Sequence, residues 1–370
     1  YDALNLINGL FVDPTGEEPL TWIYQDFTGE RRAFADVALE KKRLVLDALL
    51  SSDLNRLTEL GARLCEDRRS YRDFSRRDLY DGIRELIAQL PVYRTYVRAE
   101  AGILAEEDRR LLNETVDRAR AARPDLDAEL FDLLQRVLRL EHRGPREAEF
   151  VMRFQQITGP AAAKGVEDTV LYAYNRLLSL NEVGGDPGRF GVTPEEFHRH
   201  MREAAERWPR SLTATATHDM KRGEDVRARL NVLSELPGEW AAAVRRWAQR
   251  NEPYRTDGAP DRNTEYLLYQ TLAGAWPLDE ERAWRYAEKA IREAKQHTSW
   301  TRVEPGFEAA VQRFLQGCLA DDEFRRDLEE FVERIAGPGQ ANSVAQTLVK
   351  LTMPGAPDTY QGTELWDLSL

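Results

Sequence analysis

The chain has 370 residues, 42% of them hydrophobic, enough for two or three domains or one large barrel with an insertion, which excludes a disordered chain, a collagen and a small disulfide scaffold. Its 52 Lys and Arg against 64 Asp and Glu give a net charge of -12, which argues against a nucleic-acid or membrane-surface binder and leaves an uncharged substrate such as a sugar open. No stretch approaches the ~20 apolar residues of a bilayer span, and Cys65 and Cys318 stand outside any ligand-like spacing, so neither a metal site nor a disulfide framework is expected and a reducing cytoplasm is the natural setting.

The chain starts at Tyr1 without an initiator Met or signal-like region and stops just after a Gly- and Pro-punctuated motif, so a fragment cut at both ends is expected. In residues 1–30, Pro14 and Gly16 interrupt a short apolar run, which predicts a connector rich in turns. From residue 31 to about 157 the apolar residues follow the helical period: Leu46, Leu50, Leu54, Leu57, Leu60 and Leu64 form one stripe, and Leu79, Ile83, Leu86 and Leu90 the next. Ser75 and Asp78 have the spacing of a capping box, and Leu126, Leu130, Leu133, Val137 and Leu140 mark a further helix. A lobe of four or five helices is expected, a packing that helices reach on their own.

The texture changes at QQITGPAAAKGVEDT, where Gly159, Pro160 and Gly165 bracket small residues and predict a loop or a strand end. A helix over Glu167–Leu180 follows, then the turn cluster GGDPGRFG, then a helix start at Thr193 with Pro194 and Glu196. Leu212 to Thr217 alternates small apolar residues with Thr, which predicts a short strand ending at His218. Helical periods return over 239–250, 264–276, 280–295 and 307–335, and a further helix is expected from about Ala341 to Lys350. Periodicity alone therefore predicts an overwhelmingly helical protein with two or three short strands.

His218-Asp219 is the most informative pair. Polar residues at the C-terminal end of a strand are where barrels keep their chemistry, and the alternative is that Asp219 caps the following helix. The remaining histidines offer no metal-ligand pattern. GPAAAKG fails as a phosphate loop, because Lys164 precedes Gly165 and no Ser or Thr follows. Lys164, Glu167 and Asp168 are either a hydrogen-bonding cluster in a cleft or a solvated helix start. Trp300 and Tyr360 are aromatics in loop settings, which suit sugar rings and equally suit packing, whereas Trp240, Trp247 and Trp284 lie in helical segments as core or interface residues.

ATATHDMKRGEDVRAR resembles the seventh-strand motif of the maltooligosyltrehalose synthase family, in the α-amylase clan of glycoside hydrolases. YDALNLINGLFVDP, LNRLTEL, PVYRTYVR, QQITGPAAAKGVEDT, YNRLLSLNEVGGDPGRFG, HTSW and PGAPDTYQGTELW are similar to segments of that family in the same order, with Met220 and Gly223 standing where Thr and Ser are expected. The resemblance implies an α/β fold: the C-terminal part of a (β/α)8 TIM barrel carrying a large all-helical insertion. It would divide into a connector over 1–30 after the fifth strand, an insertion over 31–157, and the sixth to eighth βα units with extra helices over 158–370. It implies an isomerase of trehalose biosynthesis that turns the reducing-end α-1,4 linkage of a maltooligosaccharide into an α,α-1,1 linkage by a retaining transfer, without cofactor or metal. Asp219 would be the transition-state stabiliser, and His218, Lys164, Glu167, Asp168, Lys221, Arg222, Trp300 and Tyr360 would bind the sugar, with Lys164, Glu167 and Tyr360 sharing the cleft of His218 and Asp219. The nucleophile and the acid/base match no residue here, so the fragment alone is expected to be inactive. The alternatives are an α-glucan hydrolase of the same clan and a helical interaction module without catalysis.

Overall fold

Apolar stripes at helical spacing become helices throughout the computed structural model, which describes residues 1–370. The chain divides into two units, Ala35–Val170 and a second built from Tyr1–Phe34 with Leu171–Leu370.

The Ala35–Val170 unit is all helical, with helices Phe34–Ala48, Ser51–Glu66, Arg76–Gln89, Glu106–Ala122, Ala128–Leu138 and Pro145–Ala162. The stripe residues Leu54, Leu57, Leu60, Leu64, Leu79, Ile83 and Leu86 meet Leu130, Leu133, Val137, Phe131 and Phe150 in one core, and removing those side chains from water is the main term that holds the unit together. The capping box is present: Ser75 Oγ accepts from Asp78 N at 3.1 Å while Ser75 N donates to the Asp78 carboxylate at 3.2 Å. The expected loop over QQITGPAAAKGVEDT is instead helix. Pro160 lies inside the Pro145–Ala162 helix, where it withholds the N–H that the Gln156 carbonyl would accept, and the chain continues as a π-helix over Ala163–Val170. Thr169 Oγ1 donates to the Lys164 carbonyl, five residues back, at 2.7 Å. Gly165 is required by close approach, since a Cβ there would stand 2.9 Å from Lys42 Cα. Its neighbour Lys42 is drawn inward, where Nζ donates to the Leu90 and Ala88 carbonyls at 2.8 and 3.2 Å.

In the second unit the expected connector is two helices, Asp2–Leu10 and Glu17–Thr28; Pro14 and Gly16 form a single tight turn between them, with Asp13 accepting from Thr15 N at 2.9 Å. The predicted start at Thr193 holds, its hydroxyl accepting from Glu196 N at 3.2 Å. The predicted Glu167–Leu180 helix stops at Ala173. The core is aromatic: Trp240 and Trp247 are fully buried, Trp247 meets Phe331 edge-on at 5.4 Å, and Trp240 donates its indole N–H to the Tyr266 hydroxyl at 2.8 Å, so the polar atom of each large ring finds a partner inside. Trp284 is half-buried.

The helices expected over 307–335 and from about Ala341 to Lys350 divide differently: Pro305–Ala320 is one, and the next runs from Asp322 to Thr352 through Gly337, Pro338 and Gly339. Gly339 explains its persistence: a Cβ there would stand 2.8 Å from Arg229 Cα, so the helix passes against its neighbour where only glycine fits. Beyond that crossing the buried face changes chemistry, from Phe324, Leu328, Phe331 and Ile335 to Ser343, Gln346 and Lys350, and Val344, Leu348 and Leu351 face outward. The predicted strand shrinks to Leu212–Thr213 (β1), which pairs in parallel with Ala356–Pro357 (β2) in a two-stranded sheet. No helix is long and apolar enough to cross a membrane.

Burial lowers the Lys42 ammonium from 10.5 to about 8. Between those values the unfolded chain binds the proton that the folded chain has released, so stability rises with pH over that window, by at most about 3 kcal/mol. Chemical unfolding of the full chain from pH 8 to 10.5, monitored by amide exchange within residues 35–170, is expected to show this rise, and Lys42→Met is expected to flatten it.

Candidate functional site

The parallel pairing of β1 with β2 sets the geometry. Ala356 N donates to Ser211 O at 2.8 Å and Asp358 N to Thr213 O at 2.7 Å, which locks Leu212 opposite Ala356 and Thr213 opposite Pro357. Because the strands run the same way, the residues that follow each one emerge at the same end of the sheet. His218 and Asp219 form an exposed turn after β1, and Tyr360, half-buried, opens the short turn Tyr360–Gly362 after β2. Asp219 caps nothing: the next helix is Glu224–Asn231 with Gly223 at its N-cap. Its backbone N–H donates to Thr217 Oγ1 at 3.3 Å, and Thr217 Oγ1 in turn donates to the Tyr1 hydroxyl at 3.3 Å. Its carboxylate is left facing solvent.

What fixes the turn is a carboxylate absent from the sequence-based list. Glu182 is 1% exposed, and it accepts from Lys221 N at 2.8 Å, Arg222 N at 3.3 Å and its own neighbour Val183 N at 2.9 Å. Arg227 Nη1 reaches the same carboxylate at 3.2 Å. Arg227 also donates to Arg222 O at 2.8 Å and to Thr215 O. The ion pair therefore holds the chain on both sides of His218-Asp219. Desolvation pulls the Arg227 guanidinium below its ordinary value, and the Glu182 charge opposes that pull, as expected where a buried cation keeps its charge through a partner.

The same arrangement takes in two of the residues expected to bind the sugar. Arg222 is 1% exposed, and its guanidinium donates to the Tyr286 hydroxyl at 2.6 Å and to the Asn181 and Leu178 carbonyls at 3.3 and 3.4 Å; it anchors the turn from inside. Lys221 is likewise buried, with Nζ 6.0 Å from the centre of the Tyr172 ring. Beside the Glu182 segment lies a cavity of about 280 Å³ lined in part by Asp2, Asn5, Gly184, Asp186, Arg189 and His200. Asn5 Nδ2 donates to Val183 O at 2.9 Å and to Tyr1 O at 3.1 Å, and Gly184 takes a φ of 71°, which favours glycine. The turn cluster after Glu182 was the only sign of this cavity in the sequence.

Lys164, Glu167 and Asp168 belong to the other unit. They sit on the π-helix rather than at a helix start, so no N-terminal dipole explains the two acids. Lys164 Nζ pairs with Asp168 at 2.6 Å, and the buried Glu167 carboxylate accepts from the Tyr93 hydroxyl. Tyr93 is thus a polar neighbour that sequence reasoning passed over. Widened helical turns of this kind often carry functional groups. Trp300 lies in the loop before the Pro305–Ala320 helix, 53% exposed. No group of three His, Cys, Asp or Glu side chains is placed to hold a metal ion.

No known family model matches the chain. Over its whole length it is 37% identical to a putative maltooligosyl trehalose synthase of Mycobacterium tuberculosis, of which it covers 46%. The structure of maltooligosyltrehalose synthase from Arthrobacter ramosus superimposes with a TM-score of 0.87 at 37% identity, covering all of this chain and 45% of that one. A hypothetical maltooligosyl trehalose synthase of Sulfolobus tokodaii gives 0.79 at 30% identity over 98% of this chain. The chain thus spans about half the length of the relatives it matches.

Replacing Glu182 with Gln leaves Arg227 buried without its counter-charge, which costs about 3 to 5 kcal/mol. Urea unfolding of Glu182→Gln is expected to show a loss of that size, while Glu203→Gln, at the exposed pair with Arg207, changes stability by less than about 1 kcal/mol.

Proposed function

We propose that the chain belongs with the maltooligosyltrehalose synthases and that it supplies the strand-end residues with which such an enzyme holds a maltooligosaccharide while the reducing-end α-1,4 linkage becomes an α,α-1,1 linkage. One observation carries the assignment: the exposed Asp219 carboxylate leaves the end of β1 on a turn that a buried ion pair fixes from both sides. A rigidly presented, solvent-facing carboxylate beyond the end of a parallel strand suits a group that meets a substrate.

In this reading Asp219 holds sugar hydroxyls of the ring whose anomeric carbon reacts. Positive charge develops there as the glycosidic bond breaks, so a fixed anion stabilises the transition state more than the ground state. His218 contacts the same ring, and Tyr360, leaving the neighbouring strand, offers an aromatic face to it. Lys164, Glu167 and Asp168 are proposed as polar contacts to the glucan on the strength of the π-helix that presents them. Retention of configuration requires a nucleophile and a proton donor with carboxyls ~5 Å apart, and the proposal draws both from the portion of the relatives that this chain does not span. By itself the chain is then inactive. The barrel reading rests on the same sheet: two parallel strands with open edges are stable only where further strands and helices cover them. Two buried free thiols, Cys65 and Cys318, suit a reducing cytoplasm.

In a protein of the relatives' full length, Asp219→Asn is expected to lower kcat about a hundredfold or more, corresponding to roughly 3 kcal/mol of transition-state stabilisation, with little change in KM. Product analysis from maltopentaose provides the readout; a kcat near wild type removes the assignment.

A further inference from the structure

Of the five histidines, His297 alone is paired with a residue that caps a helix. Asp261 stands at the N-cap of the Arg262–Ala275 helix, where its Oδ1 accepts from Asn263 N at 3.0 Å and from Thr264 N at 3.1 Å. Its Oδ2 accepts from Thr264 Oγ1 at 2.6 Å and faces His297 Nε2 at 3.2 Å. The capped helix is buried along almost its whole length. Its first turn is fastened to the core, since Asn263 Nδ2 donates to the Ala173 carbonyl at 2.7 Å and Asn263 Oδ1 accepts from the Tyr24 hydroxyl at 3.0 Å. The same imidazole stacks on Phe307, with ring centres 4.5 Å apart and planes 27° apart, in the first turn of the Pro305–Ala320 helix. One ring therefore ties the loop that follows the Glu280–Ala294 helix to the starts of two others.

The charged groups around this junction are engaged with one another. Arg262 is held by Glu265 and Glu252, both at 2.6 Å, and Glu308 by Arg292 and by the Thr298 hydroxyl, both at 2.7 Å. Within the loop, Lys295 pairs with Glu293 at 3.2 Å and Arg302 with Glu304 at 3.3 Å. Histidine alone among these residue types ordinarily changes charge near neutral pH. Asp261 is the one charged group that acts on His297: its hydrogen bond and its charge raise the ring's affinity for a proton, against the smaller opposing pull of partial burial.

We propose that His297 is a pH-dependent latch: as an imidazolium it clamps the loop 295–304 onto the capped end of the Arg262–Ala275 helix, and on losing its proton it loosens that loop. A neutral ring can still donate one hydrogen bond to Asp261, but a bond between charged partners is about twice as strong. The stabilisation is present in full below the unfolded-state value of 6.5 and is lost as pH rises through the higher folded-state value. With the His297 side chain 46% exposed, solvent screens the pair, so the change in local opening is about two- to fivefold. The latch governs how firmly a loop is held and has no part in the chemistry assigned to Asp219, so either assignment can fail alone.

The test is an NMR titration of the full chain labelled at histidine Cε1, together with amide exchange at about pH 6 and about pH 8.5, corrected for intrinsic rates. His297 is expected to titrate above 6.5. Asp261→Asn, which removes the charge and keeps a good cap residue, is expected to bring it to that value or below. Between the two pH values the wild-type loop 295–304 is expected to lose protection about two- to fivefold, while the Pro237–Asn251 helix exchanges alike at both. In His297→Gln the loop is expected to be loose at both and to show no such change. Thr298→Val, which removes the bond to Glu308, is expected to loosen the loop and keep its pH dependence. A His297 signal that titrates at or below 6.5 in the wild type overturns the proposal, as does a pH dependence that survives in His297→Gln or an equal loss of protection in the Pro237–Asn251 helix.

Discussion

A buried ion pair, Glu182 with Arg227, is the constraint from which the candidate site follows. Each of its members is about 1% exposed, and such pairs contribute little net stability because desolvation offsets their attraction. Their value here is positional. One carboxylate collects two backbone N–H groups from the far side of the turn, and one guanidinium collects carbonyls from both sides. A turn that would otherwise be an irregular surface loop is thereby tied to the interior at Thr215, Lys221 and Arg222, and only His218 and Asp219 are left outside. Arg222, bonded to Tyr286, carries the constraint into the Glu280–Ala294 helix, the element that ends beside the Trp300 loop.

The Ala35–Val170 unit depends on a different balance. Its stability comes from apolar packing around Phe131 and Phe150, and polar groups enter only at the edges. The π-helix at its end is the exception. Pro160 interrupts the hydrogen-bond ladder, Gly165 lets the chain pass against Lys42, and the same stretch carries Lys164, Glu167 and Asp168 on widened turns. The small residues that suggested a loop are the ones that permit this close passage.

The helices of that unit were legible in the sequence because period and burial agree: Leu54, Leu57, Leu60 and Leu64 repeat at helical spacing and all face the core. The Asp322–Thr352 helix was legible only in its first half. After Gly339 it turns Ser343 and Gln346 inward and Val344, Leu348 and Leu351 outward, so its apolar stripe no longer marks the packed side and the period breaks off after Ile335. The strand was overdrawn because Ala and Thr alternate past Thr213, whereas the pairing with β2 ends where Thr213 stands opposite Pro357. His218 and Asp219 were found because polar residues after a strand stand out. Glu182 was not, since a lone Glu before two glycines looks like turn chemistry, and only the long-range contact with Arg227, 45 residues on, reveals its role. The burial of Lys221 and Arg222 was hidden for the same reason: charge in the sequence suggests solvent, and burial with a partner cannot be seen there.

The most direct test of the account is a crystal structure of a full-length protein containing this chain with a bound maltooligosaccharide. The account predicts an Asp219 carboxylate within hydrogen-bond distance of two hydroxyls of the reacting ring, with Glu182 still holding the Lys221 and Arg222 amides. A sugar bound with Asp219 left in solvent, or a turn that has broken from Glu182 on binding, would contradict it.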